Sequence, residues 1–162
     1  MSTKKNFKHT IVASYFGYIT QAIVNNFAPL LFVTFQNTFD ISLSKIGYLV
    51  TINFCLQLLV DFIAAKVVDK IGYRISIVAA HVFSGAGLML MGVLPFKMSD
   101  PYIGLIVSIA CYAIGGGIIE VLISPIVEAC PTDKKSAAMS LLHSFYCWGH
   151  VAVILLTTLF FV

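Results

Sequence analysis

Five long apolar stretches, at residues 10–35, 45–65, 75–94, 102–127 and 137–162, take up most of this chain and leave only short linkers between them. An apolar run of about 18 residues or more with few charges is long enough to cross the hydrocarbon core of a bilayer as a helix. Composition agrees, because 59% of the residues are apolar and 10% are charged, whereas soluble domains carry roughly 25% charge. The chain is therefore expected to be an all-α integral membrane protein with about five transmembrane helices, and no linker is long enough for a soluble domain.

Basic residues set the expected orientation, since they are held on the cytoplasmic side. Lys4, Lys5, Lys8, Lys66, Lys70, Arg74, Lys134 and Lys135 fall on one side of a five-span arrangement, and Lys45 and Lys97 on the other. This places the amino terminus and the turns at residues 69–74 and 131–136 in the cytoplasm. The net charge of +3 then reports topology and gives no reason to expect a nucleic-acid partner. The basic start resembles a signal peptide, but the apolar run behind it is too long, and no small-residue cleavage site stands out. Cys55, Cys111, Cys130 and Cys147 include no C-x-x-C pair and no two in one outer loop, so no disulfide framework is expected.

At 3.6 residues per turn the polar residues of the spans fall into stripes. Asn53, Gln57 and Asp61 follow at four-residue spacing, as do Gln21 and Asn25, with Asn26 adjacent. Gly116, Glu120 and Ser124 share a face of the fourth span, and Ser140, His143, Cys147 and His150 one of the fifth. Such stripes must face protein or water, and four of them imply a polar cavity. The bland reading is that amides and hydroxyls tie helices together, at about 0.6 kcal/mol per bond. Asp61 and Glu120 are different, because a carboxylate inside the membrane marks a pathway for a solute or proton unless it pairs with a cation. Glu120 follows three consecutive glycines, Gly115, Gly116 and Gly117, which either pack helices tightly or lend flexibility. His143, Cys147 and His150 have one-face spacing for a metal without a further strong ligand, so neither metal nor cofactor is expected. His81 reads as a packing residue. Without a nucleophile, base and orienting partner, no enzyme is expected.

The stretch Ala65-Lys66-Val67-Val68-Asp69-Lys70-Ile71-Gly72-Tyr73-Arg74 resembles the major facilitator signature G-x-x-x-D-[RK]-x-G-x-[RK], at its expected place between the second and third spans. Asp69, Lys70, Gly72 and Arg74 match, while Ala65 replaces the first glycine and Tyr73 a basic position. The resemblance implies a gating latch: Asp69 meets a helix terminus and Gly72 permits the turn. A second resemblance covers Gly-Gly-Gly-Ile-Ile-Glu120-Val-Leu-Ile-Ser124-Pro125 and the run from Leu141 to Gly149, which look like the fucose permease branch. Asn25 and Asn26 suit that branch too, whereas Ser124 replaces its usual Asn and Pro29 stands where its members carry a second acid.

These resemblances imply a major facilitator helix bundle, of which the chain forms an incomplete amino-terminal half that needs the remaining carboxy-terminal helices. They imply a multi-pass plasma-membrane secondary transporter that moves a small, polar, sugar-like solute with H+ by alternating access. Glu120 and Asp61 are the proton- or substrate-binding acids in this reading. Gln21, Asn25, Asn26, Asn53, Gln57, Ser124, His143 and His150 line the pathway. The alternatives are a drug or metabolite exporter of the same superfamily and a non-transporting membrane scaffold. Orientation is tested by replacing Arg74 or Lys97 with cysteine in a variant lacking the four native cysteines. A membrane-impermeant maleimide is expected to reach position 74 only from the cytoplasm and position 97 only from outside, and the reverse pattern overturns the charge argument.

Overall fold

The computed structural model describes residues 7–161, so Lys4 and Lys5 of the basic amino terminus and Val162 of the last span lie outside the described residues. Within them the chain is helical throughout: α1 (Lys8–Leu30), α2 (Phe32–Phe39), α3 (Leu43–Ile71), α4 (Tyr73–Met91), α5 (Leu94–Lys97), α6 (Pro101–Ala129) and α7 (Lys135–Phe161). Five units are long and apolar enough to span a membrane, α1 and α2 together making the first. Phe62 and Phe160, 70% and 82% exposed, lie on surfaces suited to lipid.

Local chemistry places the helix ends. Ser42 accepts a hydrogen bond from the Lys45 backbone N–H to open α3, and Asp100 accepts one from the Tyr102 N–H to open α6, each satisfying a donor the helix itself cannot. Pro101 fills the first turn of α6, where a missing N–H is harmless. Pro29 lies inside α1, and because proline has no N–H it releases the Asn25 carbonyl from the helical ladder. The spanning unit breaks two residues later at Leu31.

The second and third spans are joined more tightly than hydropathy suggests. Helix α3 runs on to Ile71 and α4 starts at Tyr73, so Asp69 and Lys70 are helical and the turn is Gly72 alone. Its φ of 93° lies in the left-handed region, where a side chain is strained. The charged residues end the apolar pattern near residue 65, but Lys and Asp continue a helix beyond the hydrocarbon without difficulty.

Helix α6 lies at the centre, packed against α1, α3, α4, α5 and α7. Of its most apolar stretch 56% is buried, against 11% to 33% in the other four spans. Glycine makes this possible. A Cβ at Gly117 would stand 3.1 Å from Val60 Cγ1 and 3.2 Å from the Gln57 carbonyl oxygen of α3, and one at Gly115 would strike Ser84 and the Ala80 carbonyl oxygen of α4. Small residues of this kind bring helix backbones together in membranes, where water supplies no drive for association.

Two apolar clusters lie toward opposite ends of the bundle. One gathers Val24, Ala28, Phe35, Leu49, Met91, Leu105 and Tyr112; the other gathers Tyr15, Tyr18, Ala80, Ile119, Ile123 and Leu142. Cys130, just past α6, is buried and donates through Sγ to the Ile126 carbonyl at 3.2 Å. Burial pushes its thiol up from the ordinary value, which keeps it protonated and unreactive. Because Gly115 faces α4 backbone, Gly115→Val is expected to destabilise the bundle by about 1–3 kcal/mol. Gly85→Val, where the added carbon meets nothing within 4 Å, is the control, and equal unfolding midpoints for the two variants would refute the packing argument.

Candidate functional site

Between the two apolar clusters α1, α3 and α6 meet in a polar layer. Helix α1 runs antiparallel to α6, so Gln21 comes level with Glu120 and Tyr18 with Ser124. The Gln21 Nε2 donates to Glu120 Oε2 at 3.2 Å, and the Tyr18 hydroxyl shares a 2.8 Å hydrogen bond with Ser124 Oγ. From α3, Gln57 Nε2 donates to Asn25 Oδ1 at 2.9 Å. Gly116 sits where these side chains cross. A Cβ there would lie 3.0 Å from Gln57 Nε2, 3.0 Å from Val24 Cγ1 and 3.7 Å from Gln21 Oε1, so glycine is what leaves room for two amides between three helices.

Helix α7 closes a second side. Gly149 lets it approach α1, since a Cβ would stand 3.0 Å from Ala22 Cβ and 3.1 Å from Ile19 Cα. This brings His143 edge-on to Tyr18, with ring centroids 5.5 Å apart at 75°, and Tyr146 edge-on to the same ring at 6.0 Å. His150 follows against Tyr146 at 6.5 Å. Edge-to-face contacts of this kind are favoured by the aromatic quadrupole. Tyr15 and Phe145 stack at 4.9 Å beyond them.

Burial divides the layer into an interior and an open face. Gln21, Asn53 and Gln57 are buried, Asn25 and Ser124 half-buried, and Glu120 and His143 exposed. Asp61, half-buried, lies near enough to Glu120 for the two carboxylates to repel through space. The cations stand toward helix ends: Lys66 and Lys70 in the last turns of α3, Arg74 and Lys135 in the first turns of α4 and α7. Asn26 turns back on its own helix, donating to the Ala22 carbonyl at 2.8 Å. His81 does likewise, its Nδ1 lying 2.7 Å from the Ile77 carbonyl oxygen, and it lines a groove of about 540 Å³ between α1, α4 and α6. Asp69, Lys70, Gly72 and Arg74 lie at one end of the bundle, away from the polar layer. Among the described residues no three His, Cys, Asp or Glu side chains are grouped to hold a metal ion.

Tyr18 is the residue the sequence reading misses. It lies three residues before Gln21 and seven before Asn25, which continues their stripe, but a tyrosine counts as apolar in a hydropathy pattern. Its hydroxyl reveals the role only once Ser124 is seen opposite.

A bundle of five spans with a polar layer at mid-depth is the build of a multi-pass membrane transporter. The family model described as Major Facilitator Superfamily matches residues 12–162, and the chain belongs to that superfamily, whose members are membrane transporters. No curated protein and no solved structure matches the chain.

The Tyr18–Ser124 bond joins α1 to α6 beside the acid. A double-mutant cycle with Tyr18→Phe and Ser124→Ala is expected to return a coupling of about 0.6 kcal/mol, the average for hydrogen bonds between membrane helices. Strictly additive losses in unfolding free energy would show that the bond contributes nothing.

Proposed function

We propose that these five spans work in a plasma-membrane secondary transporter, amino terminus in the cytoplasm, that moves a small, polar, sugar-like solute together with a proton. The observation that carries this reading is the mid-bundle layer in which Gln21, Asn25, Gln57 and Glu120 are hydrogen-bonded across three helices, with the one acid that Gln21 holds turned to the open face. Inside a membrane such groups are costly unless they serve a pathway, and superfamily membership supplies the class of activity.

Glu120 takes up a proton when the layer opens to one side and gives it up on the other. Burial favours the neutral form of an acid and access to water favours the ion, so alternating exposure alone moves the proton. Gln21 holds the carboxylate in place through its amide N–H. Asn25, Asn53, Gln57 and Ser124 offer amide and hydroxyl groups to a polyhydroxylated solute, and His143 completes the wall from α7. At the end of the bundle Asp69 acts as the latch of the gate, with Gly72 fixing the turn. A second reading, transport of an aromatic compound, is favoured by the Tyr18, His143 and Tyr146 rings that crowd the same wall.

Glu120→Gln keeps the shape of the side chain and removes its titration. In sodium-free vesicles with an imposed pH gradient, a carrier containing these spans is expected to lose uphill accumulation on this change while retaining exchange of solute across the membrane. Undiminished accumulation would sink the proton-coupling role of Glu120.

A further inference from the structure

His81 is hydrogen-bonded on one side only. Its Nδ1 lies 2.7 Å from the Ile77 carbonyl oxygen of its own helix. A carbonyl can only accept, so Nδ1 carries the ring hydrogen and Nε2 of the neutral imidazole is a bare acceptor. No carboxylate lines the groove beside it, so nothing there holds a charged imidazolium. Helix α1, opposite, fixes where Nε2 lies. It stands 3.9 Å from the place a Cβ on Gly17 would take, and buried Gly17 lines the same groove of about 540 Å³. The acceptor is therefore on the floor of the groove. The rest of the lining is apolar, with Ile77, Val78, Val82, Ile123 and Ile126, or already engaged, since Ser14 Oγ donates to the Thr10 carbonyl at 2.9 Å.

Depth limits what can occupy this groove. Helix α4 starts at Tyr73, which puts His81 roughly 12 Å into a hydrocarbon core about 30 Å thick. Phospholipid headgroups stay at the interface, and a charged ligand would find no opposite charge in the lining. An uncharged donor remains, and a single hydroxyl on an apolar body is the smallest that meets one bare acceptor in hydrocarbon. Pockets for small organic ligands run from about 300 to 1,000 Å³ and are mostly apolar, with a few polar groups that fix orientation. Val78 and Val82, 59% and 64% exposed, stand at the rim, so entry is from the bilayer. We propose that the groove between α1, α4 and α6 binds an uncharged, lipid-soluble alcohol or phenol. Its hydroxyl donates to His81 Nε2, and its apolar body lies along Ile77, Ile123 and Ile126.

None of Tyr18, Gln21, Glu120 and Ser124 lines this groove, and the test reads binding and not flux, so the site stands or falls apart from the transport reading. With the protein in lipid nanodiscs, radiolabelled para-octylphenol is expected to bind saturably. Its methyl ether, para-octylanisole, has no hydrogen to donate and is expected to compete roughly tenfold more weakly than unlabelled phenol. His81→Phe keeps an aromatic ring on the floor and removes the acceptor, which is expected to bring the phenol down to the level of the ether. Val78→Trp fills the groove from its exposed rim and is expected to abolish saturable binding of both compounds. Together with the comparison of phenol and ether, it decides the matter if His81→Phe does not fold. Equal affinities for the two compounds, unchanged phenol affinity in His81→Phe, or undiminished binding in Val78→Trp would each overturn the site. Absence of saturable binding, the result expected if another helix of the carrier covers the groove, would overturn it too.

Discussion

The close approach of α6 to its neighbours is the constraint on which the rest of the bundle rests. Within hydrocarbon, helices gain nothing from leaving water, and their association depends on packing and on interhelical hydrogen bonds. Gly115 meets α4, Gly117 meets α3, and Gly116 between them faces the junction of α1 and α3. Three consecutive residues point in three directions around a helix, so a run of glycines opens all of those directions in a single turn. Helix α4 follows the same logic from its own side, where Gly87 packs directly on Tyr112.

That geometry also decides where polar side chains can lie. Space left at Gly116 is filled by two glutamine side chains, Gln21 and Gln57, which reach across to Glu120 and Asn25. Toward either end the packing is apolar, with Tyr112 and Leu105 on one side and Ile119 and Ile123 on the other. A polar layer enclosed by two apolar ones lies in a low dielectric, where each hydrogen bond is strengthened and each missing one is costly. The tightness of α6 and the chemistry at Glu120 are therefore one feature, because a larger residue at position 116 would close the space in which the amides meet.

The spans and their polar faces were legible because they depend on local pattern. Asn53, Gln57 and Asp61 recur at the helical period, and length with hydropathy was enough to count five crossings. The ends were less legible, because hydropathy marks where hydrocarbon stops and not where the helix does. Helix α3 continues through Lys66, Asp69 and Lys70 to Ile71, and the break after Pro29 lies inside an unbroken apolar run. Partnerships were not legible at all. Periodicity places Gln21 and Glu120 each on a face of its own helix, but only the antiparallel register of α1 on α6 sets them 3.2 Å apart. The same register brings Tyr18 to Ser124 and so turns an apparently apolar residue into a polar one.

The asymmetry within the layer bears on what a change of charge at Glu120 can do. Its carboxylate is on the open face, yet it is bonded to an amide that is almost wholly buried on α1 and repelled by an acid on α3. Neutralising it weakens the hold of Gln21 and relieves Asp61 together, so one event alters two of the contacts that α6 makes, that with α1 and that with α3. Helix α1 carries a break of its own beside this contact. Pro29 frees the Asn25 carbonyl one turn beyond Gln21, and the helix is interrupted at Leu31, so the segment bearing Gln21 and Asn25 ends at a built-in break. A proline-released carbonyl in a membrane helix is tolerated when neighbouring helices satisfy it. Asn25, whose side chain Gln57 already holds, is thus tied to α3 at the point where its own helix is weakest. The polar layer and the break in the first span consequently lie side by side, with Asn25 belonging to both.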